Sequence, residues 1–293
     1  MEVVREAQEA RRAVIAARRG GRSLGLVPTM GYLHAGHAAL IAQAARECDE
    51  VVVSIFVNPT QFGPNEDFAR YPRDMARDLR VCADAGASWV FAPEPTALYP
   101  DGPTAPGTMV HPPEPLTRGL CGAFRPGHFV GVATVVAKLL ALWQPDKAYF
   151  GLKDFQQTAV LRALARDLLF PVEVVLAPTV REPDGLAMSS RNVYLSTEER
   201  RRALVISRAL RKVEASAAAG ERRISALRTT LEAVLAEEPE VRRQYAVVVD
   251  ANTLAECETL NRPCVALVAA HVGSTRLIDN VVLNGECGMG IGE

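Results

Sequence analysis

The sequence lacks the motifs by which most phosphate-binding and zinc-binding folds are detected. It contains neither the Gly-Lys-Ser/Thr ending of a P-loop nor the Gly-x-Gly-x-x-Gly of dinucleotide-binding folds. Its six cysteines are scattered without a Cys-x-x-Cys pair, and it has only five histidines. We therefore expect no zinc. Scattered cysteines are typical of reduced thiols, which predicts a cytoplasmic protein.

The chain also lacks a strong net charge and long apolar runs. A formal net charge of −1 argues against a broad nucleic-acid-binding surface. No apolar stretch approaches the length that crosses a bilayer, and residues 1–19 form a charged amphipathic pattern rather than a signal peptide. We expect neither nucleic acid nor a membrane as partner.

Apolar and amphipathic segments alternate through residues 1–181. The almost wholly apolar, β-branched run 51–57 is typical of a strand that is covered on both faces. The patterns predict strands at 23–27, 51–57, 89–92, 148–150 and 172–177, and helices at 4–19, 38–48, 74–85, 130–143 and 155–168. The Pro- and Gly-rich segment 93–115 predicts little regular structure. This alternation predicts an α/β domain, Rossmann-like, with a mostly parallel sheet flanked by helices.

The pattern changes after Arg181. Charged amphipathic helices are predicted at 197–218, beginning at Ser196 or Thr197, and at 224–237, followed by strands at 245–249, 264–269 and 275–278. We therefore predict two domains: residues 1–181, and a smaller α+β domain of residues 182–293.

Residues 27–37 are the most informative stretch, because they connect the first predicted strand to a predicted helix. It contains His34 and His37 with Gly31 and Gly36. Helix N-termini offer unpaired N–H groups, glycines let phosphate approach the backbone, and histidines can donate to phosphate oxygens. The stretch indicates a nucleotide-phosphate site. From these residues alone, a zinc pair and two capping histidines stay open as alternatives.

Polar groups follow other predicted strands as well. Asn58 and Gln61 follow the strand 51–57, and the polar segment 63–73 after them is either a lid or an exposed loop. Lys153 lies at the next strand-to-helix junction, and Arg125 precedes the apolar helix. Residues 188–192 form a loop able to clamp phosphate. Taken singly, each of these motifs could be a turn, a helix cap or a linker. Chance alone is a poor explanation for polar or basic groups at all four junctions on the carboxyl side of one predicted sheet.

The motif order resembles the pantoate–β-alanine ligase family. The matching motifs are Pro-Thr-Met-Gly-x-Leu-His-x-Gly-His, Phe-Val-Asn-Pro-x-Gln-Phe, Arg-Pro-Gly-His-Phe, Gly-x-Lys-Asp and Met-Ser-Ser-Arg-Asn. The family belongs to the nucleotidyltransferases with a His-x-Gly-His motif. The resemblance runs from Val27 to about Asn280, and the last ten residues, from Asn284, lie outside it.

The resemblance implies a role for each matching residue. Catalysis would fall to His34, His37, Lys153 and Arg191. ATP would contact Met30, Gly31, Tyr32, Leu33, His34, Ala35, Gly36, His37, Gly151, Leu152, Lys153, Asp154, Val180, Met188, Ser189, Ser190 and Arg191. Pantoate or β-alanine would contact Gln61, Gln157, Asn58 and Arg125. Asp78 matches a position associated with the metal, although Arg77 beside it replaces a residue that is often acidic.

The implied activity is the last step of pantothenate biosynthesis. An ATP-dependent, AMP-forming ligase would join (R)-pantoate to β-alanine through pantoyl adenylate, with Mg²⁺ accompanying ATP and with the chain as a homodimer. Two alternatives stay open: a nucleotidyltransferase of the same fold acting on another small acid, and a non-catalytic nucleotide-binding or zinc-binding module. A tRNA synthetase is disfavoured, because the part after Arg181 is short and has no basic stripe.

Overall fold

The protein is described by a computed structural model that covers residues 1–64 and 66–283. The chain forms two compact units. One comprises Met1–Leu152 with Val160–Thr179, and the other comprises Lys153–Ala159 with the chain from Val180 onwards. The predicted domain boundary between residues 181 and 182 stays a prediction. The last ten residues lie outside the described part.

The first unit is built on a six-stranded parallel sheet. Its strands are β1 (Glu2–Val4), β2 (Leu24–Thr29), β3 (Glu50–Ile55), β4 (Trp89–Phe91), β5 (Lys147–Gly151) and β6 (Glu173–Ala177). Its helices are α1 (Ala7–Arg19), α2 (Ala35–Glu47), α3 (Met75–Asp84), α4 (Pro95–Leu98), α5 (Glu114–Thr117), α6 (Cys121–Phe124) and α7 (His128–Trp143), and α8 (Phe155–Asp167) joins β5 to β6. All strand pairs are parallel, which confirms the predicted fold class.

The strand order reverses at the centre of this sheet. The order is β1-β4-β3-β2-β5-β6, so β2 lies between β3 and β5. The chain moves outward through β3 and β4 on one side of β2 and through β5 and β6 on the other. In open α/β sheets, ligands bind at the carboxyl ends of the strands where the order reverses. We therefore expect a ligand site at the segments that follow β2, β3 and β5.

Burial explains why these segments become strands and helices. All six residues of β3 are buried, as a central strand requires. Helix α7 is rich in β-branched residues, which have a modest helix propensity, yet most of its residues are buried. Tertiary packing outweighs propensity here. Trp143, at the end of this helix, is fully buried. The centroid of its ring lies 5.7 Å from the centroid of the Phe91 ring.

One feature of the first unit differs from the sequence prediction. Residues 2–4 form the edge strand β1, where the hydrophobic pattern predicted the start of a helix at residue 4. This strand depends on parallel pairing with β4, a distant contact that local periodicity cannot detect. The segment 93–115 contains the short helix α4 and only the first two residues of α5, in agreement with the predicted scarcity of regular structure.

The second unit pairs two helices with an antiparallel sheet. Its helices are α9 (Thr197–Ala218) and α10 (Ile224–Leu235), and its strands are β7 (Val241–Asp250), β8 (Cys264–Val272) and β9 (Thr275–Leu283). The strands pair in the order β7-β8-β9, which confirms the predicted α+β class. Ser196 caps α9: its side chain accepts from the backbone N–H of Glu199, whose carboxylate accepts from the N–H of Ser196.

Across the described residues, none of the helices is long and apolar enough to cross a bilayer. The five cysteines within that part are free thiols.

We predict that Gly131→Ala destabilises the first unit. A Cβ atom at Gly131 lies 2.4 Å from the carbonyl oxygen of Thr60 and 2.7 Å from the Cα of Gln61, both backbone atoms. Relieving such overpacking costs about 1–3 kcal/mol. Urea unfolding should show a lower midpoint than for Gly119→Ala, because a Cβ at Gly119 meets nothing within 4 Å. Equal midpoints for the two variants contradict the prediction.

Candidate active site

The turn between β2 and α2 is held by a buried carboxylate. Asp78 is 1% exposed, and its two oxygens accept from the backbone N–H groups of Tyr32 (2.8 Å) and Leu33 (2.7 Å). The backbone needs such support, because Gly31 (φ +82°) and Tyr32 (φ +50°) both adopt the left-handed region. For tyrosine that conformation costs free energy, so the two hydrogen bonds fix a turn that the sequence alone does not favour.

The metal role that the resemblance implies for Asp78 stays a prediction, and the structure shows what its carboxylate contacts within the turn. Both of its oxygens already accept backbone N–H groups. Burial, the largest influence, raises the pKa of this carboxyl above its usual value, although the two N–H groups lower it. Within the described residues, no group of three or more His, Cys, Asp or Glu side chains is placed to hold a metal ion. Asp78 acts on the turn itself.

The two histidines of the turn share one hydrogen-bonding arrangement. His34 is the N-cap of α2, and its Nδ1 accepts from the N–H of Gly36 at 3.2 Å. The Nδ1 of His37 accepts from the N–H of His34 at 3.3 Å, and the ring centroids lie 4.0 Å apart. Because Nδ1 is an acceptor in both rings, the neutral form of each carries its proton on Nε2. Each is thus a defined Nε2–H donor at a helix N-terminus.

The other residues of the turn connect the two histidines to the sheet. Leu33 is fully buried, Met30, Tyr32 and Gly36 are half-buried, and Ala35 is exposed at the start of α2. The N–H of Gly31 donates to the hydroxyl of Thr29, which donates to the carbonyl of Ser54 on β3. The structure confirms the capping role for His34, which is the N-cap of α2.

Gln61 and Asn58 follow β3, as predicted, but in different environments. Gln61 lies in a one-turn 3-10 helix, Pro59–Gln61, and its Nε2 contacts the sulfur of Met30 at 3.1 Å. The structure thus brings the predicted substrate-binding amide to the predicted ATP-binding turn. Asn58 is 1% exposed, and protein groups surround its side-chain amide. The direct substrate contact predicted for Asn58 does not fit this burial.

Arg125 is engaged by a residue that sequence reasoning missed. Its Nε and one terminal nitrogen form a bidentate pair with the carboxylate of Glu66, each at 2.6 Å. Its other terminal nitrogen donates to Nε2 of His128 at 3.0 Å, and His128 in turn donates from Nδ1 to the carbonyl of Gln61 at 2.9 Å. A direct substrate contact by Arg125 therefore competes with Glu66. Glu66 lies in the polar segment 63–73, for which the sequence predicts only a lid or an exposed loop.

The pairing sets the charge state of Glu66. Burial alone raises its pKa and is the largest single influence. The hydrogen bonds and the positive charge of Arg125 together outweigh burial, so the pKa of Glu66 lies below its usual value.

Residues at the end of β5 form the next predicted motif. Gly151 ends the strand, and the 3-10 helix Leu152–Asp154 follows. Lys153 Nζ lies 3.6 Å from the carboxylate of Asp154, and the Lys153 carbonyl accepts from the side-chain amide of Asn280 at 2.9 Å. Gln157 is half-buried in the first turn of α8.

The second unit brings Val180 and Met188 together. The N–H of Met188 donates to the carbonyl of Val180 at 3.0 Å, across a tight hairpin. Ser189 then caps the 3-10 helix Ser190–Tyr194, its hydroxyl accepting from the N–H of Arg191 at 3.2 Å. The side-chain amide of Asn192 donates to Glu182 (2.6 Å) and to the carbonyl of Ala187 (3.1 Å), fixing the loop from within.

A parallel sheet whose strand order reverses beside a helix N-terminus that carries two histidines is typical of the nucleotide-binding α/β class of proteins. The family model described as "Pantoate-beta-alanine ligase" matches residues 2–282. The chain belongs to the pantoate–β-alanine ligase family.

Individual relatives agree with this membership. The chain is 55% identical over 289 residues to "Pantothenate synthetase 1" of Bradyrhizobium diazoefficiens, covering 97% of this chain and 99% of the relative. A crystal structure of pantoate-beta-alanine ligase (pantothenate synthetase) from Thermus thermophilus is 48% identical with a TM-score of 0.91, covering 96% of this chain and 99% of that chain. The ligase from Francisella tularensis, crystallised with "Beta-gamma ATP and Beta-alanine", is 32% identical with a TM-score of 0.78, covering 96% and 97%.

We predict that Glu66→Gln removes a pH-dependent part of the stability. Because the pKa of Glu66 is lowered in the folded protein, its pairing stabilises the fold above the ordinary glutamate pKa. That contribution is lost as the pH falls through the folded-state pKa. Unfolding free energies between about pH 6 and about pH 3 should therefore fall more steeply for the unmodified protein than for Glu66→Gln.

At neutral pH the same variant should be less stable by about 1–3 kcal/mol, because a half-buried guanidinium loses its charged acceptor. Glu94→Gln, which changes an exposed carboxylate, is the matched control. Parallel pH profiles for the unmodified protein and Glu66→Gln contradict the assignment.

Proposed function

We propose that this chain joins pantoate to β-alanine in two steps, with pantoyl adenylate as the intermediate. A carboxylate is a poor electrophile, so it does not condense with an amine at neutral pH without activation. In the first step a carboxylate oxygen of pantoate attacks the α-phosphorus of ATP. The bond from that phosphorus to the oxygen of the β-phosphate breaks, and pyrophosphate leaves.

The second step uses the energy of the mixed anhydride. The free amine of β-alanine attacks the carbonyl carbon of pantoyl adenylate, and the bond to the AMP oxygen breaks. The amine loses a proton as the amide forms, and AMP is released. Neither step needs a covalent bond to the enzyme.

The turn Met30–His37 is suited to the first step. Negative charge grows on phosphate oxygens as pyrophosphate departs, and preorganised donors stabilise such charge. His34 and His37 each supply an Nε2–H, and the N-terminus of α2 adds backbone N–H groups and a partial positive charge. We assign the phosphates to this turn and the leading charge-stabilising role to His37.

The remaining assignments follow the family motifs. In the first unit, Gln61 contacts pantoate and later β-alanine, and Gly151 and Leu152 contact ATP. In the second unit, Gln157 contacts pantoate, and the other residues contact ATP: Lys153, Asp154, Val180, Met188, Ser189, Ser190 and Arg191. Lys153 and Arg191 supply positive charge for the phosphates.

The hydrogen bonds around Gln61 support different roles for Gln61 and for its neighbours Asn58 and Arg125. Asn58 and Arg125 hold Gln61 through hydrogen bonds to its side chain and its carbonyl oxygen. We assign them to the support of Gln61 rather than to direct contact with substrate.

Magnesium enters this scheme with the nucleotide. We propose that Mg²⁺ is bound by the phosphates of ATP and reaches the enzyme as part of that substrate. We also propose that the chain is a cytoplasmic homodimer, which light scattering on the purified protein checks for the oligomeric state.

The observation that supports the proposal most directly is the match along almost the whole chain to the pantoate–β-alanine ligase family. The ligand-bound Francisella structure adds that a relative of similar fold is complexed with "Beta-gamma ATP and Beta-alanine". A non-catalytic nucleotide-binding module would bind ATP without turnover, and a related nucleotidyltransferase would turn over only with another acid.

We predict that pantoate alone supports exchange of labelled pyrophosphate into ATP. Adenylate formation is reversible and precedes the use of β-alanine, so exchange needs pantoate and Mg²⁺-ATP only. AMP release over many turnovers should need β-alanine as well. An enzyme that makes pantothenate but catalyses no exchange with pantoate alone contradicts the two-step order.

We predict that His37→Ala and Lys153→Ala each slow adenylate formation about a hundredfold or more, the scale of a lost charge-stabilising donor. Single-turnover quench-flow with pantoate and ATP measures the step. His111→Ala and Lys212→Ala are matched controls at exposed positions and should retain near-normal rates. A near-normal rate for His37→Ala or Lys153→Ala reassigns that residue to a structural role.

A further inference from the structure

The side-chain amide of Asn58 has an orientation that the backbone fixes. Its Nδ2 donates to the carbonyl of Gly131 at 3.1 Å, and its Oδ1 accepts from the backbone N–H of Thr60 at 3.4 Å. A backbone carbonyl can only accept and a backbone N–H can only donate. A reversed Asn58 amide would place two acceptors together and two donors together, so only one orientation is compatible with the fold.

Two hydroxyl groups complete the partners of Oδ1 in this orientation. Tyr99 is fully buried, and its hydroxyl donates to Oδ1 of Asn58 at 2.9 Å. The hydroxyl of Thr60 donates to the same oxygen at 3.0 Å. Lys138 Nζ lies 4.2 Å from the centre of the Tyr99 ring, within the range of a cation–π contact. Asn58 is 1% exposed, so water does not replace these partners.

The fixed amide of Asn58 determines which end of Gln61 it meets. The second hydrogen of Nδ2 points to Gln61 at 3.1 Å and requires an acceptor there, which is Oε1. The Nε2 of Gln61 therefore lies on the opposite side, where it donates to the sulfur of Met30 at 3.1 Å. A thioether is a weak acceptor. The donor end of the amide thus points to the predicted ATP-binding turn.

We propose that Asn58 is a positioning residue that fixes the polarity of Gln61, so that Gln61 presents N–H donors to the substrates. An N–H donor pairs with a carboxylate oxygen and repels an ammonium group. Gln61 then holds pantoate, and later β-alanine, through an acceptor oxygen such as that of the carboxylate, and not through an ammonium group. This inference rests on the proposed function, which assigns Gln61 to both substrates.

A close approach of backbone makes the arrangement possible. The carbonyl of Gly131 that accepts from Asn58 belongs to α7, which lies against the 3-10 helix containing Gln61. A Cβ at residue 131 would lie 2.4 Å from the Thr60 oxygen, so only glycine lets the two segments come this close. The acceptor that orients Asn58 is therefore a feature of the helix packing.

Gln61→Glu tests the polarity directly. Glutamate has nearly the same shape and still offers an acceptor to Asn58, so that contact is kept while the substrate-facing donor becomes an acceptor. We expect kcat/KM for pantoate to fall further in Gln61→Glu than in Gln61→Ala, where loss of the contact costs about one to two powers of ten. The Kd for ATP, measured by calorimetry, should stay within about threefold of the unmodified value in both. Thermal unfolding checks that both variants fold.

The two hypotheses fail in different ways. Normal pantoate use by Gln61→Ala shows that Gln61 does not contact pantoate and overturns the proposed function at this residue. Impaired use by Gln61→Ala with near-normal use by Gln61→Glu leaves the contact intact but overturns the donor polarity.

A double-mutant cycle tests the role of Asn58. Asn58→Ala should lower kcat/KM for pantoate about tenfold when Gln61 is present, and less than about twofold in the Gln61→Ala background. A residue that only stabilises the fold lowers activity equally in both backgrounds, and that result overturns the assignment. Tyr99→Phe keeps the ring and removes one donor to Asn58, so it repeats the cycle if Asn58→Ala does not fold. Tyr99→Phe should lower kcat/KM for pantoate less than Asn58→Ala does, and this effect should also be absent in the Gln61→Ala background.

Discussion

The parallel pairing of β2 with both β3 and β5 is the constraint on which the first unit's functional groups depend. Because the strands are parallel, their carboxyl ends emerge at one edge of the sheet. The turn Met30–His37 follows β2, and the 3-10 helix Pro59–Gln61 follows β3. The contact of Gln61 with Met30 is a direct result, since residues far apart in sequence leave the sheet side by side.

Buried polar side chains then convert this topology into defined chemistry. Asp78 holds a turn with two left-handed residues, and Asn58 selects one orientation of a neighbouring amide. A buried polar group without its partners would cost free energy, so each network admits few alternatives. The same principle fixes the tautomers of His34 and His37, whose Nδ1 atoms accept backbone N–H groups. The interior of the fold thereby decides which atoms of the site donate.

Three residues for which the sequence predicts a metal or substrate contact share one physical property. Asp78, Asn58 and Arg125 are polar residues at positions that match the family, and the resemblance implies a metal or a substrate contact for each. In the structure their polar atoms are largely occupied by partners from other segments: the turn after β2, helix α7, and Glu66. Glu66 carried no detectable motif, since a single glutamate in a polar segment has no local pattern. Only the position of its partner shows what it does.

The sequence by itself determined the α/β class, most of the helices and strands, the His-x-Gly-His turn and the family. These features are local: hydrophobic period, capping residues such as Ser196 and Glu199, and motifs within a few residues of one another. The tertiary structure alone decided the edge strand β1, the pairing of Glu66 with Arg125 and the polarity of Gln61. Each depends on hydrogen bonds between segments separated by tens of residues. No pattern along the chain encodes which of two similarly shaped amide ends faces a partner, because that choice is made by the backbone groups that packing brings beside it.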